Sequence, residues 1–281
     1  MRELPPVERF KQRARLYGGR AARTLPGGGL KHRCVFMHVP KCGGTSVSEA
    51  LYATVPLHQK IGILDSPSIR RALAMQVTGQ DDTITFHDEG PRAAEIADFR
   101  EKLVLMHMAH DCRLVHGHFL FSEAAWQQFG HDYRYVSILR DPVERTISNY
   151  RMDRRMGVFD GDFDAFLDSE PGRRKALHML RFFGGQSEIS DAEIPGLTET
   201  ARGNIDRFTL IGFLNDLPGF ARDFADIFGA RPAIAHYNRA SDKGLDLTPA
   251  QRDRLEALCA PDIELYDYAL RRHAASERAS A

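Results

Sequence analysis

"RCVFMHVPKCGGTSV", residues Arg33 to Val47, decides how this 281-residue chain reads. Its first half is a short, continuous apolar run of the kind buried inside a parallel sheet. Its second half holds a lysine, two glycines and two hydroxyl residues where a strand gives way to a helix. The order is not that of a Walker A loop, because Lys41 precedes Gly43 and Gly44. It still has the parts of a phosphate cradle. Backbone N–H groups at a helix start carry roughly half a positive charge and favour an anion. Gly43 and Gly44 let the backbone approach closely, Thr45 and Ser46 add hydroxyl donors, Cys42 completes the loop, and Lys41 is a mobile cation at the mouth. Thr45 or Ser46 is expected to cap the helix, which packs Val47, Leu51 and Val55 along one face. The alternative is a glycine-rich turn with its lysine in solvent.

Outward from this unit the chain alternates strand and helix signals. "RLVHGHFLF" (113–121) reads as a strand with His116 and His118 on one face, since side chains alternate. "YRYVSIL" (133–139) is a further strand, ending at Arg140. "DPVERTISNYRM" then opens a helix, with Asp141 as N-cap, Pro142 at the first position and Glu144 completing a capping box. Helices are expected around 163–184 and over "LPGFARDFADIFG", with a strand at "FTLIGFL" between them. "LTPAQRDRLEALC" (Thr248 as cap, Gln251 in the box) and "PDIELYDYALRR" read as two last helices. The stretch 57–102 shows only a short helical pattern at "SIRRALAMQV". Strands alternating with helices imply an α/β fold of three layers, P-loop-like, with a mostly parallel central sheet.

Composition limits the function. Apolar residues make up 43% and charged residues 27%, with zero formal net charge. That is ordinary for a globular core and unlike a general nucleic-acid binder. Cys34, Cys42, Cys112 and Cys259 form no C-x-x-C pair and read as reduced thiols, so a cytoplasmic setting is expected. No run is long enough to span a bilayer, and the arginine-rich start lacks the apolar block of a secretory signal. One domain is expected over 31–273. Residues 1–30 are expected as a basic, mobile or loosely docked tail, with an amphipathic surface anchor as the lesser reading. A flexible tail is expected over 274–281.

Arg140 sits where strand meets helix, the edge at which open parallel sheets bind ligands. Its planar donor fork suits a second phosphate, and Ser148, two turns on, can share that anion. Its alternative partners are Asp141 or Glu144 of its own helix start. Two anion sites on one sheet edge point to a ligand with phosphates at both ends. A rival constellation is "HMAHDCRLVHGH", which packs His107, His110, Cys112, His116 and His118 together and raises a zinc-dependent hydrolase, although its spacing fits no standard zinc signature.

The loop and the Arg140 segment together resemble the PAPS-dependent sulfotransferases, in particular the carbohydrate branch that includes heparan sulfate 2-O-sulfotransferases; PAPS is 3′-phosphoadenosine 5′-phosphosulfate. "VHGHF", "RFFGG" and "PDIELYDYA" are similar to further segments of that branch. The resemblance implies that "KCGGTS" holds the 5′-phosphosulfate and that Arg140 and Ser148 hold the 3′-phosphate. A sulfuryl group would then pass in line to an acceptor hydroxyl, on a glycan or glycolipid, with no metal. His118 is expected as the base, with His116 second, and Lys41 beside the leaving oxygen. An acidic sugar would suit Arg151, Arg154, Arg155, Arg173 and Arg174. The departures are Cys42 in place of threonine, Leu177 in place of an asparagine, and Asn215 where a glutamate is usual. A nucleotide binder without catalysis is the third reading.

Overall fold

The computed structural model describes residues 6–25, 27–81, 90, 92–234 and 245–280. Its centre is a five-stranded sheet built from β1 (Arg33–Met37), β2 (Ile61–Leu64), β3 (Leu114–Gly117), β4 (Tyr133–Leu139) and β5 (Leu210–Phe213). The spatial order is β2-β3-β1-β4-β5, and every pairing is parallel. Parallel neighbours need crossovers, and helices supply them on both faces. In chain order the helices are α1 (Pro6–Ala22), α2 (Gly44–Tyr52), α3 (Ser66–Thr78), α4 (Ala93–Ala109), α5 (Glu123–Phe129), α6 (Pro142–Met156), α7 (Phe163–Leu167), α8 (Glu170–Ala176), α9 (His178–Gly184), α10 (Ile194–Asp206), α11 (Leu217–Phe228) and α12 (Pro249–Ser280), of which α2 to α10 lie between strands. The expected α/β fold is what forms.

The central strands are apolar on both faces. Cys34, Val35, Phe36 and Met37 of β1 are all fully buried, as are Leu114 and Val115 of β3 and Val136, Ile138 and Leu139 of β4. The chain leaves β1 toward β2 and β3, then returns to the other side of β1 to lay down β4 and β5. The connections therefore diverge around β1, and in such sheets the crevice at the strands' C-terminal ends takes the ligand. The loop at 38–43, His118 and Arg140 all follow directly on the C-terminal ends of the adjacent strands β1, β3 and β4.

Several local expectations change. The helix after the loop starts at Gly44. Its N-cap is Gly43, at φ 81° and without a side-chain cap bond, rather than Thr45 or Ser46. Asp141 does cap α6 by accepting from Glu144 N at 2.9 Å, but the Glu144 carboxylate turns to Arg140. The stretch 57–102 yields β2, α3 and most of α4, although 82–89 and 91 lie outside the described residues. The two terminal helices are one, α12, which carries Pro261 inside it and continues over 274–280, where a tail was expected. Thr248 and Gln251 form the expected reciprocal cap at its start. Within the expected N-terminal tail, residues 6–22 are helical, and Arg20 donates to the carbonyls of Val55, Pro56 and Gln59.

Candidate active site

The loop after β1 is tight. Lys41 has φ 66°, uncommon for a residue with a Cβ, and Gly43 has φ 81°. A Cβ on Gly43 would stand 2.5 Å from Leu214 Cδ1, so glycine is required there for space as well as for φ. Cys42 points inward: its Sγ lies 3.7 Å from Pro40 O, and burial pushes its thiol up to about 11. Its side chain therefore sits away from the mouth of the loop. The backbone of Gly44 and Thr45 opens α2, and Ser46 is half-buried in its first turn. The first N–H groups of a helix have no intrahelical acceptor, which gives this start its affinity for an anion.

Three cations gather at this point. The Lys41 ammonium rests 3.5 Å from Met152 Sδ on α6. Its pKa is lowered, first by burial and then by the positive charges of Arg155 and Arg140; Asp153 opposes the shift. Side chains that repel one another in this way are stabilised when an anion lies between them. Arg140 pairs with Glu144 at 3.3 Å, which is the local ion pair considered as an alternative for it. Such an exposed i,i+4 pair is worth only about 0.3–0.5 kcal/mol, so a phosphate can compete for the guanidinium. Ser148, half-buried, lies two turns further along the same helix.

Beside the loop, three histidine rings form a stack. His38 lies 4.3 Å from His118 and 5.8 Å from His116, centroid to centroid, and Phe36 lies 5.3 Å from His116. His116 and His118 do share one face, with His38 against both. Their environments differ. His116 is buried, with Nε2 2.8 Å from Ser48 Oγ and Nδ1 2.6 Å from Tyr52 OH. Burial, with a smaller contribution from His118, holds its pKa down at about 3. His118 is half-buried, and its Nδ1 is 2.7 Å from the carbonyl oxygen of His38. A carbonyl only accepts, so that nitrogen carries a proton, and in the neutral ring the lone pair is on Nε2. A proton acceptor must present such a lone pair.

His118 also lines a small hollow with Arg100, Arg181 and Phe182. Through Ala97, Leu120 and Ser187 this hollow adjoins a cleft of about 520 Å³. The charged residues lining that cleft are Asp98, Glu101 and Glu123.

The zinc constellation divides. His107 lies on α4, where its Nδ1 meets Cys112 Sγ at 3.8 Å and its ring packs over Gly62 of β2. His116 is held by Ser48 and Tyr52 of α2. Among the described residues no group of three or more His, Cys, Asp or Glu side chains converges on a point that could hold a metal.

Sequence reasoning missed His38, Ser48, Tyr52 and the placement of Arg155. For His38 a signal was present, because a histidine closing β1 faces whatever closes its parallel neighbour. The arginines assigned to an acceptor are largely committed elsewhere. Arg173 pairs with Asp191, Arg174 with Glu188, and Arg154 donates to Asp160 O. "RFFGG" lies on α9, where Arg181 donates to Ser187 O at 2.9 Å, and Leu177 before it is buried. Asp262 of "PDIELYDYA" is fully buried against Arg145 at 2.9 Å and accepts from the backbone N–H groups of Met179 and Leu180.

No curated protein is significantly similar to the chain. Residues 30–156 match the model of the sulfotransferase family, a span that takes in the loop, the histidine stack and Arg140. Over this segment the chain is similar to the sulfotransferase family.

Proposed function

We propose that this enzyme sulfates a hydroxyl of a carbohydrate or glycolipid, with His118 as the base and the Lys41 loop and Arg140 holding the two ends of PAPS. The observation that carries the reading is the 2.7 Å contact of His118 Nδ1 with the His38 carbonyl, which in the neutral ring makes Nε2 the basic nitrogen, close to the loop whose Lys41 feels the charges of Arg155 and Arg140. PAPS supplies the sulfuryl group and a phosphate as leaving group. The residues present fit it: a helix start, a glycine that lets the backbone approach closely, and Lys41, Arg140 and Arg155.

Each residue has one task. The N–H groups at the start of α2, with Ser46, bind the 5′ end, and Lys41 stabilises the negative charge that grows on the departing phosphate oxygen. Arg140, with Ser148, takes the 3′-phosphate, exchanging Glu144 for a doubly charged partner. His118 Nε2 removes the acceptor's hydroxyl proton as its oxygen bonds to sulfur. His116, neutral and hydrogen-bonded at both nitrogens, holds α2 against β3. The acceptor enters by the cleft that adjoins the His118 hollow. With carboxylates as the cleft's charged groups, an uncharged sugar suits it better than a uronic acid. The four cysteines are buried free thiols, which supports a reducing, cytoplasmic setting.

The test is transfer of label from ³⁵S-PAPS to a panel of neutral glycosides, glycolipids and uronic-acid oligosaccharides, with wild type and His118→Ala. The expected result is transfer to a neutral sugar that falls about 10²–10⁴-fold in the variant. Undiminished transfer in His118→Ala would remove the histidine from the reaction.

A further inference from the structure

His38 is the first residue after β1 and is 8% exposed, yet its ring Nε2 is buried without a hydrogen-bond partner. The contact that the ring does make is through its face. That face stacks on His118 at 4.3 Å, with the ring planes 30° apart. The backbone explains why the two meet. Met37 of β1 is in register with Gly117 of β3, so His38 and His118 are the next pair along. His38 N donates to Gly117 O at 3.0 Å, and His38 O receives the Nδ1 proton of His118 at 2.7 Å. One residue thus grips the imidazole at its edge and against its plane.

We infer that His38 is a positioning residue for His118, its carbonyl fixing the proton on Nδ1 and its ring fixing the plane that aims Nε2. This rests on the reading of His118 as the base. Burial first, then His118, His116 and Lys41, keep the His38 pKa well below that of an ordinary imidazole. A neutral ring stacks on His118 without charge repulsion. The carbonyl remains whatever side chain stands at 38, so the ring's contribution is separable. A flat ring should serve and a small side chain should not.

The experiment uses the full chain, uniformly ¹⁵N-labelled, with the imidazole signal of His118 identified by its loss in His118→Ala. In wild type and His38→Phe, that signal should show one fixed tautomer, protonated at Nδ1. In His38→Ala it should shift toward the average of two tautomers. Steady-state transfer should show kcat about tenfold lower or worse in His38→Ala, with the affinity for 3′-phosphoadenosine 5′-phosphate unchanged and most of the rate recovered in His38→Phe. If His38→Ala does not fold, His38→Leu fills the volume without a flat face and should behave as predicted for it. The inference is overturned if the small side chain leaves the tautomer and kcat as in wild type. It is overturned equally if His38→Phe loses the rate while His118 keeps its tautomer, since a ring nitrogen at 38 would then be needed in the reaction. If His118→Ala retains full activity the base reading fails, whereas the tautomer measurement still reports on the contact itself.

Discussion

At the scale of single residues, two histidines two positions apart on one strand face have opposite characters. His116 is enclosed by Ser48, Tyr52 and Phe36, and His118 stands half-buried over a hollow. Local sequence cannot separate them, because the difference comes from α2, about seventy residues earlier. The places of Lys41, Arg140 and His118 were legible since His118 and Arg140 directly follow a strand and Lys41 lies in the loop after one. Ser48 and Tyr52 were not, since only the crossover of α2 brings them to β3. The burial of His116 has a consequence for stability. The unfolded chain takes up its proton near pH 6.5, while the folded chain resists until about pH 3. Between those values the unfolded state binds more protons, so stability falls as pH falls through the window, by at most about 1.4 kcal/mol per pH unit for this residue. His38, also lowered, adds to the slope in the same direction. Urea denaturation at pH 7.5 and pH 5 should show this loss. His116→Gln, which keeps polar contacts but cannot be protonated, should flatten the slope by about one proton. An unchanged slope would mean that His116 is protonated in the fold. Lys41→Ala should remove most of the transfer rate, measured by single turnover, because the leaving phosphate then carries its charge unassisted.

At the scale of elements, the loop and its helix are the decisive unit. Gly43 is both the cap of α2 and the point of contact with Leu214 after β5. Gly43→Ala must tolerate a positive φ and push Leu214 aside, a strain of about 1–3 kcal/mol. It should weaken 3′-phosphoadenosine 5′-phosphate by about tenfold or more in calorimetry. Gly43→Ala with Leu214→Ala should recover only part of that, since the backbone strain stays. Unaltered affinity in the single variant would show that the loop does not hold the phosphate. The strands with continuous apolar runs, β1 and β4, were legible. β2 was not, for "IGIL" is four residues long and its Ile63 faces outward at the sheet edge. The joined α12 escaped because a proline normally reads as a boundary. Here Pro261 is carried within the helix beside Asp262, whose carboxylate is bound by Arg145 and by two N–H groups of α9.

At the scale of the whole molecule, that carboxylate joins the part of the chain that carries the donor loop to the part beyond it. Arg145 belongs to α6 within the family match; Asp262 belongs to α12, outside it. Arg145 also donates to the carbonyls of Lys175 and Ala176, so one buried pair organises α6, α8, α9 and α12. "PDIELYDYA" could be quoted from the sequence as a familial segment, but its task could not be read there, since its partner stands more than a hundred residues away. Asp262→Ala leaves a buried guanidinium and the start of α9 without their acceptor. It should cost about 3–5 kcal/mol, read from chemical denaturation. A loss below about 1 kcal/mol would show that the pair is dispensable. Helix α6 also carries Ser148 and begins just after Arg140, so the Arg145 anchor lies on the element that follows the proposed phosphate site. The most direct test of the central claim is calorimetry of wild type and Arg140→Ala with 3′-phosphoadenosine 5′-phosphate and with AMP. Wild type should bind the bisphosphate about ten- to a hundredfold more tightly than AMP, the value of one charge-assisted contact of about 1.5–3 kcal/mol, and Arg140→Ala should bring the two ligands together. Equal affinity of wild type for both would contradict the account.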